Sequence, residues 1–180
     1  MAMAYKKRET RTYEYFKTDD ISFVGKHREY IDQLWTLNKI QESYVKRLVD
    51  LYAIAAIVGL QTGRKSTENK DGSDIKRTIQ MKQLNENYPT LITIMRMVLI
   101  LDDSEGLTIE EKLEKAFMIP EDKETYEKNM ELFNSYARGG MEYLYEKLVL
   151  QKVDIESEYT EAKIANIMEF ISKPLQKEEI

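Results

Sequence analysis

The chain contains no cysteine, which excludes disulfides, thiolate metal sites and cysteine nucleophiles. Seven glycines and three prolines in 180 residues leave little material for the many turns of a β-sandwich or barrel. A single histidine, His27, excludes a His-rich zinc site. It also leaves any nucleophilic triad with one choice of base. No nucleophile motif accompanies it, so His27 is expected on an exposed helix face. The longest strongly apolar run, Leu48 to Leu60, is 13 residues and falls short of the roughly 20 that span a bilayer. No apolar run follows the basic start Met-Ala-Met-Ala-Tyr-Lys-Lys-Arg, so no signal peptide is expected and the predicted location is cytoplasmic.

Helical patterning fills the space these absences leave. Leu48–Leu60 is apolar all round a helical wheel except at Asp50, the signature of a helix in the middle of a protein. It is the expected central helix, spanning about 43–60 within a longer helical pattern from Ile40. Asp50 interrupts it and needs a partner if buried, Arg138 or another basic residue. Gly59 and Gly63 fall at the end, where a left-handed cap needs glycine. Before it, Lys26 to Leu37 reads as a short amphipathic helix with Tyr30, Leu34 and Leu37 on one face. After the polar loop 61–77, residues 78–84 fit either a brief strand or a helical turn. Pro89 opens a second buried helix to Leu101. Thr108 and Glu111 form a capping box for a helix to Phe117. Pro120 and Glu121 open a long helix to about Leu148 that contains Gly139-Gly140, a tight crossing or a break. A last helix, Glu158–Ile171, is expected to bury Ile164, Ile167, Met168 and Ile171. These elements predict an all-α, single-domain bundle of about six helices over residues 23–173, with a basic arm 1–22 and a frayed tail 174–180.

A net charge of −5 is unevenly spread. Residues 1–17 set Lys6, Lys7, Arg8, Arg11 and Lys17 against Glu9 and Glu14, a net +3. Residues 101–127 set ten acids against three lysines, a net −7. A basic arm and the loop residues Arg64, Lys65, Lys76 and Arg77 offer cations to DNA phosphates. The solvated-surface reading of such runs is equally physical. Gly63-Arg64-Lys65-Ser66-Thr67 shares glycine and Lys-Ser with a nucleotide-binding P-loop. It lacks the required spacing, and a helix rather than a strand precedes it, so nucleotide hydrolysis is excluded. Asp102, Asp103 and Glu105 sit at a helix end without a calcium-loop pattern, a weak basis for a metal-dependent hydrolase. Tyr136-Ala137-Arg138-Gly139-Gly140 is the most distinctive string. Its small residues let another backbone approach, and Arg138 presents a planar fork to an acid or a phosphate.

Two stretches together resemble a family of small proteins encoded beside bacterial DNA phosphorothioation (Dnd) systems, the Dnd-system-associated proteins of the fourth type. Asp50–Lys65 looks like that family's apolar helix ending in glycine and a basic pair. Glu131–Leu144 is similar to its Phe-x-x-Tyr-Ala-x-Gly-Gly-Leu pattern, with Met141 in place of Leu and Arg138 where Asn is expected. The resemblance covers about residues 45–150. It implies an accessory role in phosphorothioation-linked restriction or another anti-phage system, and it carries no catalytic residue or cofactor across. The leading expectation is therefore a non-catalytic subunit that binds a larger nuclease or ATPase protein through Tyr136, Arg138, Gly139 and Gly140. The alternative is a DNA-binding module using Lys6, Lys7, Arg8, Arg64, Lys65, Lys76 and Arg77.

Overall fold

A computed structural model describes residues 13–39, 41–70, 74–151 and 162–177. Its order is β1 (Ile21–Phe23), α1 (Gly25–Leu34), α2 (Leu48–Thr62), β2 (Arg77–Ile79), α3 (Met81–Glu86), α4 (Tyr88–Leu101), α5 (Ile109–Phe117), α6 (Lys123–Tyr145), a π-helical turn (Glu146–Leu150) and α7 (Ala162–Ser172). The protein is all-α, apart from the antiparallel pair β1–β2, in which Ile21 faces Ile79 and Phe23 faces Arg77. Strand and helical turn both occur after the polar loop, β2 giving way to α3 across Gln80, whose side chain caps α3. No helix among the described residues is long and apolar enough to cross a membrane.

The core is built on the crossing of α2 and α6. Small residues make it close: a Cβ on Gly140 would lie 1.8 Å from the Ala55 carbonyl oxygen, and one on Gly59 would lie 2.0 Å from that of Tyr136. Gly139-Gly140 is thus a tight crossing inside one continuous helix. The helical cost of glycine, about 1 kcal/mol each, is offset by packing that no side chain permits. Around the crossing, Tyr52 is fully buried against Phe16, Phe23 and Phe133, and its hydroxyl donates to Asn134 Oδ1 at 2.7 Å.

Several expected boundaries move. The central helix starts at Leu48 rather than near residue 43, because the preceding segment is bound to the end of α1. There the Ser43 hydroxyl accepts from the Thr36 N–H at 2.8 Å and Tyr44 N–H donates to the Leu34 carbonyl at 2.8 Å. Arg47 is extended, and it pairs with Asp50, Nε donating to Oδ2 at 2.9 Å. Asp50 is half-buried at the helix start, and of the basic residues expected to pair with it the partner is Arg47, not Arg138. Tyr15 and Phe16, assigned to the arm, are core residues. The last helix is rotated from the expected face: Ile164, Met168 and Ile171 are exposed and Ile167 is partly buried against the core, while Asn166 is buried and donates to the Leu148 carbonyl at 2.9 Å. That carbonyl also accepts from the Tyr44 hydroxyl, so beside the apolar contacts of Ile167 and Phe170, α7 docks through polar groups that apolar periodicity does not reveal.

Candidate functional site

Two regions concentrate chemistry. The first is a polar clasp over the α2–α6 crossing. Gly63 caps α2 with φ +74°, its N–H donating to the Leu60 carbonyl and the Arg64 N–H to that of Gly59. This double bond pattern turns the chain sharply at the helix end, and the strand of loop that follows runs directly over α6. A Cβ on Gly139 would lie 2.1 Å from the Arg64 carbonyl oxygen. Ser66 N–H donates to the Ser135 carbonyl at 2.9 Å, and Arg138 Nε donates to the Ser66 carbonyl at 2.8 Å. Arg138 also pairs with Glu131. Arg64 forks onto Glu146 at 2.6 and 2.7 Å, and reaches Glu142 at 3.4 Å. Lys65 meets Asp102 at 2.5 Å, and the Tyr136 hydroxyl donates to the same carboxylate at 2.6 Å.

His27 belongs to this clasp and is only 1% exposed, so the expected surface histidine is a core residue. Its Nε2 lies 3.0 Å from Glu142 Oε1 and 3.2 Å from Ser66 Oγ. Serine, histidine and glutamate together suggest a triad, but the geometry does not serve one. A triad places the hydroxyl on one ring nitrogen and the carboxylate on the other. Here both share Nε2, and Nδ1 has no hydrogen-bond partner among the described residues. Because an ionised Glu142 only accepts, Nε2 must carry the proton and cannot take one from Ser66. Burial favours a raised carboxyl pKa at Glu142, yet hydrogen bonds from His27, Lys26 and Ser66 outweigh it and hold the group well below the usual carboxylate range. Asp102 behaves the same way: burial is overcome by Lys65, Ser104 and Tyr136. Burial and the neighbouring Asp102 in turn push the Tyr136 hydroxyl well above its ordinary value.

The expected site residues separate accordingly. Tyr136, Arg138, Gly139 and Gly140 are brought together but face inward, so the surface expected at these four lies in the interior. Of the expected DNA contacts, Lys6, Lys7 and Arg8 lie outside the described residues. Arg64 and Lys65 are committed to the acids above, and Arg77 Nε donates to Asp32 at 2.6 Å. Lys76 is exposed, on the wall of an open groove of about 780 Å³ that also contains Trp35 and Arg77. Asp102, Asp103 and Glu105 each meet a lysine rather than one another: Lys65, Lys112 and Lys115 respectively.

The second region is the exposed face of the α4–α5 hairpin. Ile109, Leu113 and Phe117 recur every fourth residue and form one row along α5, exposed to 55, 43 and 60%. Met118 and Ile119 extend the row, and Met97 and Leu101 are exposed on α4. The Arg96 guanidinium lies 4.8 Å over the Phe117 ring, a cation–π contact between α4 and α5. Glu110 and Glu114 stand on the solvent side of the row, and Glu121 and Glu124 continue past its end. None of these four has an ion-pair partner among the described residues, since Lys112, Lys115 and Lys128 are taken by Asp103 and Glu105. The signal is present in the sequence as apolar residues alternating with acids along the Thr108–Phe117 helix, beside the charge, the capping box and the three acids at the helix end that the same run offers.

Comparison with protein-family models, with curated proteins and with solved structures finds no match to this chain.

Proposed function

We propose that the protein is a non-catalytic interaction subunit that docks a larger protein on the α4–α5 hairpin. The observation that carries this reading is the exposed apolar row Ile109–Leu113–Phe117 with its continuation at Met118 and Ile119. Contiguous apolar surface rimmed by charge is characteristic of protein-binding faces. The polar clasp supports the same reading from the other side. Its acids and cations satisfy one another, and the histidine's proton arrangement does not suit general-base chemistry. The cations Arg64, Lys65 and Arg77 are likewise committed to carboxylates, which leaves little free positive charge on that loop for phosphates.

The biological setting we infer, an accessory role in a bacterial phosphorothioation-linked or other anti-phage system, rests on the sequence resemblance. Affinity capture of the tagged chain from the cells that make it, with and without DNase, tests both parts. A stoichiometric protein that survives DNase and is lost with Leu113→Asp supports the interaction reading, and its identity reports on the setting. Recovery that requires DNA, or is indifferent to Leu113→Asp, overturns docking at this hairpin.

A further inference from the structure

The charge around the apolar row selects among the surfaces that can cover it. We infer that the α4–α5 face takes a basic amphipathic helix, with apolar anchors every third or fourth residue flanked by lysine or arginine. This rests on the interaction-subunit reading and specifies the partner's chemistry. The row itself supplies the spacing: Ile109, Leu113 and Phe117 are one helical turn apart, the repeat at which a helix laid alongside presents its own anchors. The acids supply the sign. Glu110, Glu114, Glu121 and Glu124 are exposed and have no cation within ion-pair distance among the described residues. An arriving basic rim gains attraction there without displacing an existing pair.

The same acids argue against other occupants. In a two-fold dimer through this face, Glu110 and Glu114 of each copy would approach those of its mate, a like-charge contact. Nucleic acid and anionic lipid surfaces carry the wrong sign for a net −7 segment. Arg96 does not reverse this balance, because it is one cation against the segment's surplus of acids and its guanidinium is already engaged over the Phe117 ring.

The test uses the full chain and two designed helical peptides with identical leucine faces, one rimmed by lysine and one by glutamate, followed by fluorescence anisotropy at low and high salt. The lysine peptide is expected to bind roughly ten-fold tighter, the worth of a few exposed ion pairs, and to weaken as salt rises. Glu110→Lys/Glu114→Lys changes only exposed side chains, so it keeps the fold, and it should reverse the preference. Leu113→Asp should abolish binding of both peptides. Equal binding of the two rims, or lysine-peptide binding that survives Leu113→Asp, overturns the inference. So does self-association, or binding to phosphatidylglycerol vesicles, that Leu113→Asp removes. If Leu113→Asp removes the captured cellular protein while the peptides bind alike, the interaction reading stands and this inference alone fails. No DNase-resistant partner and no peptide binding would sink both.

Discussion

The α2–α6 crossing and the α4–α5 hairpin are made from much the same materials, apolar helices carrying acids and a few cations, and they put them to opposite use. At the crossing, carboxylates and cations meet one another, with Asp102, Glu142 and Arg138 under cover, and glycine lets two backbones touch. On the hairpin, the lysines are used up within the connecting loop, and the apolar row and four glutamates are left facing water. A buried ion pair must be completed inside the fold because the desolvation penalty is otherwise uncompensated. An exposed carboxylate carries no such obligation, so surplus charge on a surface is permitted by stability and is free to serve recognition. Abundance of ionisable groups is therefore a poor guide to function in this molecule, and the absence of partners is the better one.

The sharpest way to break the contrast is at Gly140. Gly140→Val should destabilise the protein by more than about 3 kcal/mol or prevent folding, since the new side chain meets the Ala55 backbone rather than a side chain that can move. Urea denaturation followed by circular dichroism measures this, and a loss below 1 kcal/mol, a small core change by the usual scale, would refute the crossing as described. Next in size, Glu142→Gln should cost about 2–3 kcal/mol, the range for charge-assisted hydrogen bonds lost at a covered site. Its carboxylate gathers His27, Lys26 and Arg64.

Acid should report on the clasp as well. Asp102 and Glu142 have folded-state values below their unfolded ones, so the unfolded chain binds more protons as pH drops. Their stabilisation is complete above the unfolded carboxylate range of about 4 and is lost progressively below it. A Glu142→Gln/Asp102→Asn variant, compared with the parent by urea midpoints from neutral pH downward, should show a flatter acid limb. The smallest effect on stability belongs to the hairpin. Leu113→Asp should cost about 1 kcal/mol or less while removing partner binding, whereas Glu142→Gln should spare any binding by protein that remains folded. If the two substitutions exchanged these effects, the division between the regions would be wrong.

How much of this was legible in the sequence follows from the range of the interactions. The apolar helix to Leu60, the Thr108–Glu111 capping box and the opening of α4 at Pro89 are local, and each was readable from neighbouring residues. Gly139-Gly140 was readable as an alternative, crossing or break, and only the presence of Ala55 opposite it decides. His27 was misread because its burial depends on Ser66 and Glu142, which are remote in the chain. The start of α2 was misread because Ser43 and Tyr44 bind the end of α1 in place of continuing a helix. In α7, the apolar spacing was real, but Asn166 and the Leu148 carbonyl determine which face turns inward.

The close meeting of Gly59 with Tyr136, and of Ala55 with Gly140, also bears on how the chain is made. These partners are separated by about 80 residues of sequence. At roughly 5–20 residues per second, synthesis needs on the order of 4–16 seconds to supply the second after the first. Throughout that interval α2, apolar on nearly every side, has no α6 to lie against. The helix at the centre of the finished protein is thus made well before the helix that covers it, and a nascent chain stalled before Gly140 presents it to whatever binds exposed apolar segments.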